Sequence, residues 1–410
     1  MGEWLGRTIE VDVTNIAHGG VSVARLDGRV VFVADAIPGE RVIARVSDDA
    51  KSSFWRAETV AVVEPSDHRQ EHVWSAASLD RDPADRAGGA EFGHIALSHQ
   101  RELKRRVLAD SLQRMAGIAS DVVVEAIAGD DERSGTGWRT RVRLQVDEAG
   151  RPGPYAARSH RVIPVTELPL ATEELSVAAP LAESFVGEQH VDLVHTSDGT
   201  IRLIIGKQKV TPITERVGDR EFRLADSGFW QVHRGAASTL TTAVQTAIDE
   251  AVFDPQAPNL DLYGGVGLLA AAVGDRFGAS TRITSVESDA LASDFAAENL
   301  ADWLGARVIT GRVERWLREL VTTMSAAERA RFANATVVLD PPRSGAGRQV
   351  VDALAELAPK QIVYVACDPV AFARDVSAFA AKGYSLSRMQ AFDLFPNTHH
   401  VEAVGTLSSE

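Results

Sequence analysis

The sequence of 410 residues contains a single cysteine, Cys367. One cysteine excludes an intrachain disulfide, and it excludes a zinc or iron–sulfur site built from several cysteine ligands. No apolar run approaches the roughly 20 residues of a membrane-spanning helix, and the N-terminus lacks the basic and apolar regions of a signal peptide. We therefore expect a protein of the cytoplasm that has no membrane partner.

Positive charge is also in short supply. Lys and Arg number 43 against 57 Asp and Glu, which gives a formal net charge of -14 at pH 7. Because phosphate binding needs clustered cations, this balance argues against a protein that coats nucleic acid nonspecifically, but it leaves room for a local basic face. The length predicts two or three domains, since a domain holds about 100 to 200 residues.

Residues 1–62 are predicted to form a small barrel of short strands. The predicted strands are Thr8–Val13, Val21–Arg25, Val30–Val33 and Arg41–Val46, with turns at Asp27-Gly28 and Pro38-Gly39. The stretches that follow resemble the TRAM domain, an RNA-binding module of RNA-modifying enzymes: His18-Gly19-Gly20, Asp27-Gly28-Arg29, Val31-Phe32-Val33 and Ile37-Pro38-Gly39-Glu40-Arg41-Val42. The resemblance implies an OB-like barrel.

Residues 63–225 begin as a loop, continue as a helix and then turn to β-like alternation. The apolar spacing over Gln100–Met115 predicts the helix, with Lys104, Arg105 and Arg106 largely off its apolar face. In the segment Trp138–Val146, alternate positions place three arginines on one side of a strand: Arg139, Arg141 and Arg143. Such a face is typical of a phosphate contact surface, although an exposed strand edge guarded by charge has the same pattern.

Residues 226–410 alternate between strands and helices, which predicts an α/β fold with a mostly parallel sheet covered by helices. The predicted strands are Leu260–Gly267, Arg282–Glu287, Thr336–Asp340 and Gln361–Cys367, and the predicted helices include Ala290–Leu304 and Gly347–Leu357. Chemistry in open α/β sheets lies at the carboxyl ends of the strands, so this part of the chain is the catalytic candidate.

Two motifs at strand ends predict a cofactor site. The glycine turn Gly264–Gly267 opens a helix, and Glu287 at the end of the next strand can accept both hydroxyls of a ribose. The turn is too short for the dinucleotide pattern, so S-adenosylmethionine is the expected cofactor, with a nicotinamide or a purely structural turn as alternatives. The Asp340-Pro341-Pro342 corner aims Asp340 into the cleft.

Cys367 ends the last predicted strand, and Pro369 begins a helix after it. A cysteine in this position is by itself more typical of a small buried apolar residue than of a nucleophile. Near the C-terminus, His399 and His400 precede Glu402. Because adjacent residues of a strand face opposite ways, the two histidines do not predict a metal site.

Taken together, these residues resemble the RNA 5-methyluridine methyltransferases, the uracil-C5 enzymes of transfer and ribosomal RNA. The resemblance rests on an ordered set of stretches: Ser227–His233, Asp261–Gly267, Glu287, Asn299, Asp340–Arg343, Cys367–Pro369 and Phe392–Glu402. It covers nearly the whole chain and implies a C-terminal Rossmann-like S-adenosylmethionine methyltransferase sheet that follows a TRAM-like barrel and a central β-rich RNA-binding domain. It also implies an RNA substrate.

The resemblance assigns roles to particular residues. Cys367 is implied as the nucleophile that adds to uracil C6, Glu402 as the base that removes the C5 proton, and Asp340 as a catalytic residue that also lines the cofactor site. The implied cofactor-binding residues are Gln231, Tyr263, Gly265, Gly267, Glu287 and Asp340. We expect the target uridine to be flipped into the pocket and the protein to be a monomer.

Two features depart from the family. Many members bind an iron–sulfur cluster through four cysteines, but their Cys-Gly-Gly-Cys appears here as Ala87–Ala90 and their Cys-Pro-Leu as Leu168–Leu170. No cluster is expected, and packing is expected to support that loop instead. Arg312 stands where the family tends to place an acidic residue, which leaves the adenine contacts open.

Two other functions stay open. The Asp-Pro-Pro corner also suits a methyltransferase for an exocyclic base amine, and the TRAM-like start suits a noncatalytic RNA-binding protein. The sequence does not distinguish transfer RNA from ribosomal RNA as the target.

Overall fold

The computed structural model describes residues 3–409. The chain begins with a closed barrel whose strands neighbour each other in the order β1-β2-β3-β5-β4. Alternate residues such as Ile9, Val11 and Val13 point inward and are buried, as the period of two in a strand requires. The strands are β1 (Thr8–Ala17), β2 (Val21–Leu26), β3 (Arg29–Ala34), β4 (Arg41–Asp48) and β5 (Phe54–Glu64).

The predicted small barrel is therefore confirmed as a fold, with one strand more than the four predicted. The fifth strand, β5, closes the barrel by pairing parallel to β3 and antiparallel to β4. Its alternate residues Trp55, Ala57 and Thr59 are buried, and the strand ends at Glu64.

The middle of the chain contributes to two neighbouring parts of the fold. Strands β7, β8, β9 and β10 form a sheet of their own, in the order β10-β9-β7-β8, and β11 pairs with β12. The elements are α1 (Leu97–Ala116), β6 (Val124–Glu125), β7 (Arg141–Val146), β8 (Pro152–Gly153), α2 (Glu173–Ala178), β9 (His190–His195), β10 (Ile201–Ile205), β11 (Pro212–Val217) and β12 (Arg220–Ala225). Short 3₁₀ turns at Ser75–Ala77 and Pro83–Asp85 precede them.

The C-terminal part folds into an α/β layer structure, as predicted. Its elements are α3 (Ala236–Ala247), β13 (Asn259–Leu262), α4 (Leu268–Phe277), β14 (Ile283–Glu287), α5 (Ala290–Asn299), β15 (Ala306–Thr310), α6 (Val313–Thr323), α7 (Ala326–Phe332), β16 (Thr336–Leu339), α8 (Gly347–Leu357), β17 (Gln361–Ala366), α9 (Pro369–Ala380), β18 (Tyr384–Phe392) and β19 (Glu402–Ser409). The sheet runs in the order β15-β14-β13-β16-β17-β19-β18-β6.

Five central strands are parallel, and β19 enters antiparallel between β17 and β18. Every residue of β13, β16 and β17 is buried, because helices cover both faces of the sheet. The chain order reverses between β13 and β16, which is the kind of position where such sheets bind ligands.

Two predicted elements end earlier than expected. Strand β13 stops at Leu262 instead of Gly267, because Tyr263, with φ 63°, and Gly265, with φ 54°, turn the backbone into the left-handed region. Helix α5 stops at Asn299 instead of Leu304.

Helix α1 and strand β6 attach the middle segment to the C-terminal sheet. Strand β6 pairs parallel with the end of β18, and Leu108 and Leu112 of α1 are buried in the same apolar cluster as Phe372 of α9. No helix of residues 3–409 is long and apolar enough to cross a membrane.

Lys104 of α1 is buried, which differs from the largely off-face position predicted for it. Its ammonium donates hydrogen bonds to Asp393 Oδ1 at 2.5 Å and to the Phe395 carbonyl at 3.0 Å, and the Lys104 and Asp393 side chains are 0% and 1% exposed. The neighbouring Arg105 and Arg106 pair instead with Glu102 near the surface. The buried pair holds α1 against the loop that leads from β18 to β19.

We predict that Lys104→Met lowers the free energy of unfolding by about 3 to 5 kcal/mol, because Asp393 is left as a buried charge without a partner. Arg105→Met is the matched control: it breaks a half-exposed pair and is expected to cost no more than about 1 kcal/mol. Chemical denaturation of the two variants measures the difference. Equal losses would contradict a structural role for the buried pair.

Candidate active site

The predicted site residues lie at the edge of the sheet where the parallel strands have their carboxyl ends. Tyr263 follows β13, Glu287 ends β14, Asp340 follows β16 and Cys367 follows β17. Glu402 opens β19, and because β19 is antiparallel its first residue lies at the same edge. The sheet therefore brings all five predicted residues to one edge.

Cys367 and Glu402 lie next to the last residue pair of two neighbouring strands. In the antiparallel pair of β17 and β19, Ala366 lies opposite Ala403. Cys367 directly follows Ala366 and Glu402 directly precedes Ala403, and the Glu402 charge acts on the Cys367 thiol. The Glu402 side chain is buried, and the Cys367 side chain is partly accessible.

The surroundings of Cys367 disfavour its thiolate form. Burial and the nearby Glu402 and Asp340 carboxylates raise its pKa to about 12, while the Arg343 guanidinium opposes them. Burial and Asp340 also raise the pKa of Glu402 well above its usual range, again with Arg343 in opposition. The thiol, both carboxylates and Arg343 therefore act on one another electrostatically as one cluster.

Asp340 belongs to a second interaction, with Asp261 of β13. Burial and the Asp261 charge raise the pKa of Asp340 to about 7. Burial also raises the pKa of Asp261 to about 6, although the Ser285 hydroxyl donates a hydrogen bond to its Oδ2 at 2.8 Å. A buried carboxyl group whose ionisation a neighbouring carboxylate disfavours is typical of sites that handle protons or bind a ligand.

The glycine turn lies beside Glu287. The backbone N–H of Gly265 donates to Glu287 Oε2 at 3.0 Å, and the N–H of Asp289 donates to Oε1 at 2.7 Å. Gly267, with φ 91°, is the N-cap of α4. A Cβ built on Gly265 would meet no heavy atom within 4 Å, so this side of the turn is open to a ligand.

Gln231 lies half-buried in the loop between β12 and α3. Its neighbour Trp230 packs in the apolar cluster that contains Val266 of the glycine turn. Asn299 joins strand β12 to the glycine turn, because its amide donates to the carbonyls of Arg223 and Val266, both at 2.9 Å. The family position Asn299 therefore has a structural contact here, whereas the cofactor role of Gln231 stays a prediction.

The three arginines of the central segment do not form one strand face. Arg139 precedes β7 and donates to the Arg141 carbonyl. Arg141 pairs with Glu215 and donates to the Gly228 carbonyl, and Arg143 pairs with Asp192 through two hydrogen bonds of 2.7 Å. Their guanidinium groups are thus engaged within the protein, and RNA contact by Arg139, Arg141 and Arg143 stays a prediction.

Sequence reasoning missed two residues of this region. Arg343 lies in a stretch that was recognised, but only its charge next to Cys367 and Glu402 indicates a role. His18 belongs to the barrel, and its ring Nε2 lies 2.8 Å from Asp368 Oδ2. No spacing rule connects residues 350 positions apart, so the second contact was visible only in the fold.

The positions where the family resemblance implied iron–sulfur cysteines are packed with apolar side chains. Ala87, Ala90 and Leu168 are buried in one cluster with Trp138 and Ala156. These side chains offer no ligand to an iron–sulfur cluster and do not fit one. Among residues 3–409, no group of three or more His, Cys, Asp or Glu side chains could hold a metal ion.

Asp340→Asn is predicted to stabilise the protein at pH 8 more than at pH 5. An aspartate whose folded pKa is raised binds a proton more tightly in the folded state, so its contribution to stability falls as pH rises from about 4 to about 7. The gain at pH 8 is on the order of 1 to 3 kcal/mol. Thermal unfolding at both pH values measures it, and a variant that is equally or less stable at pH 8 contradicts the buried carboxylate pair.

Comparison with known proteins identifies the family of the chain. Residues 172–409 match the model of the tRNA (uracil-5-)-methyltransferase family, and residues 4–60 match the TRAM domain. An RNA methyltransferase of Streptomyces coelicolor is 36% identical, over 98% of this chain and 93% of its own. One of Corynebacterium efficiens is 33% identical, over 98% and 95%.

The fold is similar to that of a solved enzyme. The tRNA (uracil-54, C5)-methyltransferase of Pyrococcus abyssi, solved with S-adenosyl-L-homocysteine, superposes with a TM-score of 0.68 at 19% identity and covers 97% of this chain and 100% of its own. The sequence matches and the shared fold lead to one conclusion: this chain belongs to the tRNA (uracil-5-)-methyltransferase family, and it begins with a TRAM domain.

Proposed function

We propose that this protein methylates C5 of a uridine in transfer or ribosomal RNA, with S-adenosylmethionine as the methyl donor and Cys367 as a covalent nucleophile. The observation that carries the proposal is that Cys367, directly after β17, and Glu402, the first residue of β19, lie next to the last paired residues of these strands, with the Glu402 charge acting on the thiol. A thiol and a carboxyl group are the two groups that C5 methylation requires.

The chemistry gives each side chain a step. Uracil C5 is a weak nucleophile, so the Cys367 thiol first gives up its proton to water. The resulting thiolate adds to C6, and the electron pair of the C5–C6 double bond moves onto C5 and O4. After C5 has gained its methyl group, Glu402 accepts the C5 proton, the double bond re-forms and the thiolate leaves. Arg343 opposes the rise in both pKa values, so it favours the thiolate and the carboxylate that these steps use.

The residues of the sheet edge fit S-adenosylmethionine. Glu287 at the end of β14 would accept the ribose hydroxyls, and the open side of Gly265 leaves room for close approach. Tyr263, Gly267, Asp340 and Gln231 are the other residues that we assign to this site. The bound cofactor would supply an electrophilic methyl group to C5.

The barrel offers a basic and aromatic surface for RNA, which we call the barrel patch: Phe32, Phe54, Lys51 and Arg56. The two rings meet edge to face with centroids 5.3 Å apart. Lys51 lies 5.1 Å from the Phe54 ring centroid, and Arg56 lies 5.8 Å from that of Phe32.

The cations of the barrel patch are also free of carboxylates. Neither Lys51 nor Arg56 forms an ion pair with a described residue, whereas Arg7, Arg41 and Arg45 of the same barrel each do. In a chain of net charge -14, a surface of unpaired cations over half-exposed rings suits phosphates and unstacked bases.

RNA labelled with tritium at C5 of uridine distinguishes the proposed reaction from its alternatives. Methylation at C5 must release that hydrogen, so we expect one tritium in water for each methyl group transferred. Methylation of an exocyclic amine releases none, and a noncatalytic RNA-binding protein transfers no methyl group. Methyl transfer without tritium release would contradict the proposal.

Substitutions divide the reaction into its steps. Cys367→Ala is expected to lower methyl transfer by at least about a thousandfold, because the nucleophile is lost. Glu402→Gln is expected to methylate C5 and then retain the RNA on Cys367, because no base removes the proton. Asp352→Asn, which removes a half-exposed carboxylate paired with Lys382 outside the sheet-edge cluster, is the control and is expected to keep full activity. Full activity of Cys367→Ala would exclude the covalent route.

Measuring the RNA affinity of variants shows whether RNA contacts the barrel patch or the arginines of β7. Phe54→Ala with Arg56→Gln is expected to weaken RNA binding by about tenfold or more, since stacking contributes about 1 to 3 kcal/mol per base. Arg143→Gln, whose partner Asp192 lies within the protein, is expected to change the affinity by less than about twofold. Filter binding at fixed salt measures both, and the reverse order would assign the contact to β7.

A further inference from the structure

A turn of the barrel forms part of the wall around Cys367. The β1–β2 turn, residues 17–20, lines a small cavity together with Cys367, Asp368, His399 and His400. The cavity thus has one wall from the first 20 residues of the chain and another from the C-terminal sheet. The barrel reaches the reactive thiol itself, beyond any part it takes in binding RNA.

Two contacts hold this turn against the two loops that carry the reactive residues. The His18 ring lies 2.8 Å, Nε2 to Oδ2, from Asp368, the residue after Cys367. Gly20, with φ 72°, packs so closely on His399 that a Cβ would lie 2.6 Å from the His399 Cβ. His399 in turn lies three residues before Glu402.

An apolar joint keeps the barrel in this place. Ile16 and Ile37 of the barrel are buried with Phe92 and Ile95 of the following loop and with Leu103 of α1. Since α1 is fixed to the sheet by its contacts with α9, the joint sets the position of the turn and leaves His18 to make its polar contact.

Asp368 uses its two oxygens for different tasks. Oδ1 accepts the N–H groups of Val370 and Ala371 at 3.1 and 2.8 Å and so caps helix α9. Oδ2 is left for His18, and the hydrogen bond raises the pKa of the His18 imidazole. Through His18, the barrel is therefore hydrogen-bonded to Asp368, the residue between Cys367 and helix α9.

We propose that His18 is a positioning residue for Cys367: by binding Asp368, it fixes the cysteine loop and closes the barrel side of the cavity around the thiol. The expected effect of His18 on catalysis rests on the proposed function. The contact between His18 and Asp368 itself does not depend on which base the enzyme methylates.

The test uses the fact that Cys367 is the only cysteine in the chain, so thiol alkylation reports on this residue alone. In His18→Ala we expect iodoacetamide to alkylate Cys367 at least threefold faster, because the wall is removed. We expect kcat for methyl transfer to fall at least fivefold while KM for RNA stays within twofold. His18→Gln, whose amide can donate to Asp368, is expected to restore both values to within twofold of wild type.

His190→Ala is the matched control, because His190 lies beside Asp192 in the central sheet, away from the cavity. It is expected to leave alkylation and kcat unchanged. An alkylation rate in His18→Ala equal to that of the control overturns the proposal. A fall in kcat in His18→Gln as large as that in His18→Ala overturns it as well. If methyl transfer does not release tritium but the alkylation results hold, the proposed function fails and the positioning role stands.

Discussion

The pairing of β17 with β19 is the constraint on which the site depends. Because β19 runs antiparallel into an otherwise parallel region, its first residue, Glu402, and the residue after β17, Cys367, lie at one edge beside the pair Ala366–Ala403. A shift of one residue would turn Glu402 to the other face of the sheet. The buried residues on both strands fix the register, so the packing that stabilises the sheet also sets the positions of the two residues that we propose to react.

Other parts of the chain hold the segments that flank this pair. Lys104 binds Asp393 in the loop that leads to Glu402, and His18 binds Asp368 in the loop that follows Cys367. One contact comes from the first helix and the other from the barrel. The N-terminal half is therefore packed against the segments that carry Cys367 and Glu402. Strand β6 of the middle segment also pairs with the edge of the C-terminal sheet.

The sequence predicted what depends on local pattern. The small barrel, the alternation of strands and helices, helix α8 at Gly347–Leu357 and the helix that begins at Pro369 all follow from apolar period, turn residues and proline chemistry. The position of the site residues at one edge of the sheet also followed, because open α/β sheets place their chemistry at the carboxyl ends of the strands. The interactions that join distant segments could not be predicted in this way, because neither the ion pair of Lys104 nor the contact of His18 has a local signature. For the same reason, three alternating arginines suggested a phosphate surface although Arg141 and Arg143 each have a carboxylate partner in the fold.

RNA that contains 5-fluorouridine tests whether Cys367 becomes covalently bonded to C6 of the target uracil, as we propose. Fluorine at C5 cannot be removed as a proton, so after methylation the Cys367–C6 bond cannot be broken by elimination. The account predicts a stable protein–RNA adduct that forms only with S-adenosylmethionine present, and peptide mass spectrometry should place it on Cys367. RNA that is bound and methylated without any adduct, or an adduct on a different residue, would contradict it.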